Sequence, residues 1–72
     1  STLPIYLAAL SNVSYYVFDV QGRQISERDF PFLNIGHHEF DINMNHVSSG
    51  VYFYQFTINE KDYKPRKMVL LK

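Results

Sequence analysis

Cysteine is absent from these 72 residues, so no disulfide compensates for what must be a small core. Net charge is also absent: seven basic residues stand against seven acidic ones, with three histidines besides. This balance gives no support to nucleic acid as a partner, which favours a basic face. No apolar run approaches the roughly 20 residues that span a bilayer, so stable membrane insertion is not expected. The opening STLPIYLAAL lacks the basic flank of a signal peptide. Also missing are a useful helix-period segment, an internal repeat and a low-complexity tract.

What the chain does have is rings. Aromatic content is 17%, all Phe and Tyr, and such rings give a small domain much buried area per residue. They fall in short alternating segments. Leu3, Ile5 and Leu7 share one strand face, with Pro4 marking a strand start or a sheet edge. Leu10-Ser11-Asn12 reads as a turn. VSYYVFDV, residues 13–20, places Val13, Tyr15 and Val17 on one face and Tyr16, Phe18 and Val20 on the other. Gln21-Gly22 breaks this run, and 23–27 resumes as a shorter strand with Ile25 inward.

RDFPFLN, residues 28–34, reads as a loop whose Phe30 and Phe32 fold over an end of the core. In GHHEFDI, His38, Phe40 and Ile42 share a face. NMNHVSSG is a polar loop, with room for one helical turn, in which Met44 and Val47 dip inward. From Gly50, the segment VYFYQFTI puts Tyr52, Tyr54, Phe56 and Ile58 on one face. Its other face carries Val51 and Phe53, which need cover from a loop such as RDFPFLN or from a partner. Residues 59–62 form a turn, and Lys67 to Leu71 is the last strand. The expected fold is all-β: a small Ig-like antiparallel β-sandwich of six to seven strands, with Val17, Tyr52, Tyr54, Phe56, Met68 and Leu70 in its core.

Several constellations bear on chemistry. Asp41, Asn43 and Asn45 resemble the opening of a calcium loop. However, His46 stands where a turn glycine is needed, and Tyr52 where a bidentate Glu is needed. Side-chain caps of a turn are the plainer reading. His37 and His38 are adjacent, so on a strand they point to opposite faces, and His46 adds no third ligand without a carboxylate partner. No nucleophile elbow of the G-x-S-x-G type is present, so neither metal, cofactor nor catalysis is expected. Asn12-Val13-Ser14 is a glycosylation sequon of a length that occurs by chance. The six tyrosines keep open a carbohydrate-binding or adhesive sandwich.

Three pieces line up in order. VSYYVFDVQGRQI carries Asp19, Gly22 and Arg23 after an alternating strand. HEFDINMNHVSSGVYFYQF carries a polar loop and then Gly-Val-Tyr. RKMVLLK ends on a basic residue, an apolar strand and a lysine. Together they resemble the C-terminal sorting domain of type IX secretion substrates from Bacteroidetes, over roughly residues 13–72. The resemblance implies an Ig-like domain, residues 1–72, excised from a larger secreted protein with its cargo on the N-terminal side. That protein would reach the periplasm by a signal peptide, meet the outer-membrane translocon and, in many members, a surface sortase, and end on the cell surface or in the medium.

On this reading the last segment, Lys67, Met68, Val69, Leu70, Leu71 and Lys72, is the candidate for translocon recognition. Asp19, Gly22, Arg23 and Gly50 are expected as structural turn residues. The Asn-Pro motif common near the family's start is absent. A third possibility, a plain spacer, should continue into another domain, so the finish at Lys72 is expected to mark a terminal module.

Overall fold

Alternation of apolar and polar residues sets the strands, and glycine or asparagine at left-handed positions sets two of the tight turns. The structure is a computed structural model that describes residues 2–72. It contains seven strands: β1 (Thr2–Leu7), β2 (Ser11–Phe18), β3 (Gln24–Leu33), β4 (Gly36–Asp41), β5 (Gly50–Ile58), β6 (Lys61–Asp62) and β7 (Arg66–Leu70). All pairings are antiparallel. β1 and β4 form a two-stranded sheet. The larger sheet runs β3-β2-β5-β6, with β7 on the same side of β5 as β6. The all-β sandwich expected from the sequence is the fold observed.

β2 is the spine. Its inward residues Val13, Tyr15 and Val17 are each at most 2% exposed. Around Tyr15 lie the rings of Phe30, Phe40 and Phe56, with centroids 6.0 to 6.4 Å away. Phe40 also meets Phe30 at 4.7 Å and Phe56 at 5.7 Å. Such offset and edge contacts add to the area each ring buries. Leu3, Leu7, Phe40, Ile42, Met44 and Tyr52 complete the core. Met44 and Val47 turn inward as expected, and the Val47 N–H closes one turn on the Met44 carbonyl at 3.2 Å.

The structure corrects several local readings. RDFPFLN is not a loop; it lies mostly within the ten-residue β3. Proline is tolerated because β3 is an edge strand, paired to β2 alone, where a missing N–H leaves no ladder bond unmade. A register shift falls there too, between the pairs Ser11↔Leu33 and Val13↔Phe30. Phe32 takes a left-handed φ of 59° at this bulge and points out, 74% exposed, so only Phe30 joins the core. The Asn12 amide oxygen accepts the Phe32 N–H at 3.0 Å, which holds the bulge. Ser11 and Asn12 accordingly belong to β2 rather than to a turn, and the bends fall at Ala8 and Ala9.

The second correction concerns residues 59–62. Only Asn59 and Glu60 turn, both left-handed (φ 50° and 68°), while Ile58 pairs with Lys61. Positive φ at both central residues defines the mirror-image turn whose twist suits a hairpin. Third, the cover of Val51 and Phe53 is not residues 28–34. Both are half-buried by cross-strand neighbours, Val69 beside Val51 and Phe18 and Lys67 on either side of Phe53. Fourth, of the six expected core residues only Val17 and Tyr52 are fully buried. Tyr54, Phe56, Met68 and Leu70 are half-buried and pack against the core. The reason is geometric: a two-stranded sheet cannot cover a larger one.

Candidate functional site

The hairpin between β2 and β3 is built around one carboxylate. Asp19 accepts the main-chain N–H groups of Gln21 and Arg23, each at 2.9 Å, and the Arg23 Nε at 2.8 Å. The Gly22 N–H reaches the Asp19 carbonyl at 3.0 Å, and the Asp19 N–H the Arg23 carbonyl at 3.0 Å. Gly22 sits at φ 82°, where a side chain is disfavoured although a Cβ would meet nothing within 4 Å. The Arg23 main-chain N–H, with the guanidinium and the Gln21 N–H, holds the Asp19 carboxyl below its usual range. The Arg23 side chain remains 74% exposed.

The Asp19–Arg23 hairpin faces the start of β5. A shallow cavity of about 310 Å³ lies between them, lined by Asp19, Val20, Arg23, Ser49, Gly50 and Val51. A Cβ on Gly50 would make an ordinary 3.8 Å contact with the Tyr52 ring. The Tyr52 hydroxyl donates to the Ser48 carbonyl at 2.6 Å, pinning the loop that precedes β5. The chain end reaches the same place. The Lys72 N–H donates to Ser49 Oγ at 2.9 Å, and its ammonium donates to the carbonyls of Asn45 (3.0 Å) and Val47.

The last strand is shifted by one residue from the expected span, covering Arg66 to Leu70 and leaving Leu71 and Lys72 beyond it. Met68 and Leu70 face the core half-buried. Lys67 and Val69 face outward beside Phe53 and Val51. Val69 is 58% exposed and Leu71 85%. The structure thus splits the expected recognition segment in two: one side is packing and the other is surface.

A charge asymmetry is hidden in the balanced total. Residues 61–72 hold five of the seven cations, Lys61, Lys64, Arg66, Lys67 and Lys72, and only one carboxylate, Asp62. Asp62 is bonded by Thr57 Oγ1 at 2.8 Å. This signal was readable in the sequence by counting charge along it rather than over it.

The other sequence candidates do not assemble. His37 lies edge-on to the Tyr6 ring at 4.8 Å, while His38 Nε2 meets the Asn34 carbonyl at 2.7 Å. The Asn43 side chain accepts the Asn45 N–H at 3.0 Å, the local cap anticipated for this turn. Among the described residues, no three of His, Asp and Glu come together around a possible ion. Three of the six tyrosines, Tyr6, Tyr54 and Tyr63, line one groove beside β1, whereas Tyr15 and Tyr52 are buried and Tyr16 lies on the outer face of the larger sheet.

These observations define a class: a two-sheet antiparallel β-sandwich whose distinctive residues shape a surface at one end, as in an interaction module. The family model of the secretion system C-terminal sorting domain matches residues 1–71, so the chain belongs to that family. It is a C-terminal type IX secretion sorting signal. Such a domain serves a cargo on its N-terminal side, is read by the type IX secretion machinery, and directs export to the cell surface or the medium. The family is not an enzyme family, and the carbohydrate-binding alternative gains no support from it. No curated protein and no solved structure matches the chain.

Proposed function

We propose that residues 1–72 act as one sorting domain of a larger exported protein, delivered to the periplasm and read there by the outer-membrane translocon. Lys67 to Lys72 supply the recognised feature, chiefly through Lys67, Val69 and Leu71. Asp19, Gly22, Arg23 and Gly50 act as scaffold that shapes the neighbouring surface. The domain performs no catalysis itself, and a surface sortase removes it from those cargoes that are anchored. One observation carries this reading: the three sequence pieces that mark the family meet at one end of the sandwich, where the Asp19–Arg23 hairpin, Ser49-Gly50 and Lys72 lie side by side.

The test fuses these 72 residues behind a fluorescent reporter with a periplasmic signal peptide in a type IX-competent bacterium. Reporter at the surface or in the medium is the expected result. Intact, folded fusion retained in the periplasm would refute the reading.

A further inference from the structure

β7 has one free edge. Among the described residues it pairs with β5 alone, through Gly50–Tyr54, and its second row of main-chain N–H and C=O groups has no ladder partner. An open edge is a template for another strand. The opposite edge of the larger sheet is blunted: β3 carries Pro31, two register shifts, a left-handed Phe32 and the charged run Glu27-Arg28-Asp29. Within Arg66–Leu70 there is no proline, no register shift and no left-handed residue.

The side chains beside this edge select what may pair with it. On the outer face, Lys67 and Val69 continue a patch formed by Phe18, Val51 and Phe53, and exposed Leu71 extends it. Arg66, Lys67, Lys64 and Lys72 surround the strand with positive charge. A second copy of this chain would bring the same four cations against them, so self-pairing is repelled. A strand bearing carboxylates would be attracted.

Resting on the sorting function proposed above, we propose that the free edge of β7 receives an extended acidic segment of the secretion machinery. The segment adds as a further strand: main-chain hydrogen bonds supply affinity, its carboxylates meet Lys67 and Arg66, and its apolar residues lie against Val69 and Leu71.

Two arms test it. In the export assay, Lys67→Glu combined with Val69→Glu should lower surface reporter at least tenfold while the purified domain stays folded. Glu39→Gln, an exposed change on β4 away from this edge, should keep it. If the double variant fails to fold, Lys67→Glu alone is used, with a loss of at least threefold expected. Wild-type export from a folded, charge-reversed variant overturns the proposal and leaves the sorting function standing. Absence of export from the wild type overturns the sorting function itself.

In the second arm, amide exchange of residues 66–70 is followed with an acetylated, amidated Val-Thr-Val-Thr-Glu-Glu peptide at millimolar concentration, which in antiparallel pairing sets its two Val opposite Leu71 and Val69 and its two Glu opposite Lys67 and Arg66. Alternate amides should slow at least tenfold, and the same peptide with Lys in place of Glu should leave them unchanged. No slowing with the Glu peptide overturns strand addition. Equal slowing by both peptides overturns charge selection. Slowing by vesicles of anionic phospholipid but not by the peptide assigns the edge to a lipid surface and likewise overturns the proposal.

Discussion

The two halves of the larger sheet have the same strand chemistry and different burial. β2 lies under the smaller sheet, where Tyr15 keeps 2% exposure among three Phe rings. Further along, Tyr54, Met68 and Leu70 present equally apolar side chains, yet remain half-buried. A groove of about 410 Å³, lined by Ile5, Tyr6, Tyr54, Phe56, Tyr63 and Arg66, opens beside β1. The lesson is a division of labour: one half holds the fold, and the other keeps apolar side chains partly exposed.

Substitutions at matched positions test that division, and the largest effect belongs to the covered half. Tyr15→Ala should cost about 3–5 kcal/mol in urea titration, as for other buried rings. Tyr54→Ala, half-buried, should cost about half of that. Equal costs would show that the two halves are packed alike. Alkaline pH offers a second readout of the same residue. Burial raises the Tyr15 phenol, with Arg28 opposing and Asp41 adding a smaller rise. A raised pKa means that the folded state favours the neutral phenol. Its contribution is therefore intact below about pH 10 and is lost as pH rises through the raised value. Tyr15→Phe should flatten that alkaline limb.

The two tight turns extend the comparison. At the β2–β3 hairpin, Gly22→Ala forces a side chain into the left-handed region and should cost about 1–2 kcal/mol. The ionised Asp19 carboxylate makes the same hairpin acid-sensitive. Because its pKa is lowered in the fold, its contribution is present above about pH 4 and is lost as pH falls through the lowered value. Asp19→Asn should remove that acid limb from a plot of Tm against pH. At the β5–β6 turn, on the open side, a non-glycine already occupies the left-handed position. Glu60→Gly should therefore stabilise, by about 0.5–1 kcal/mol. A loss there would mean that Glu60 makes a compensating contact.

The smallest effects concern the two lysines of the last segment. Lys72→Gln gives up the ammonium bonds to the Asn45 and Val47 carbonyls and should cost about 0.5 kcal/mol at this exposed position. Lys67→Gln should leave stability unchanged within error, because its charge makes no such bond in the fold. If both changes are silent, the carbonyl contacts of Lys72 contribute nothing measurable.

Much of the covered half was legible in the sequence. The alternation of Val13, Tyr15 and Val17, the Gly22 break and the inward Met44 follow from period and turn chemistry alone. β3 was misread because proline and two bulges look like a loop unless the strand is known to lie at an edge. Edge position is a property of the sheet, not of the segment. The partial burial of Tyr54 and Met68 was hidden for a similar reason. Their alternation marks an inward face but does not say whether anything lies opposite. At the proposed recognition segment, the basic-apolar finish was visible, and its division into core-facing Met68 and Leu70 and outward Lys67 and Val69 follows from a period of two. The match in register with Val51 and Phe53 required the pairing itself.

The concentration of cations after residue 60 is matched by an equal excess of carboxylates before it, so the domain carries no net charge. Fused to a cargo, it leaves that protein's isoelectric point nearly where it was. The colloidal behaviour of the fusion is then set chiefly by the cargo. A tail that was basic throughout would draw every passenger toward anionic surfaces. A tail whose excess cations gather in its last twelve residues can offer a positive contact at close range while its net charge stays at zero.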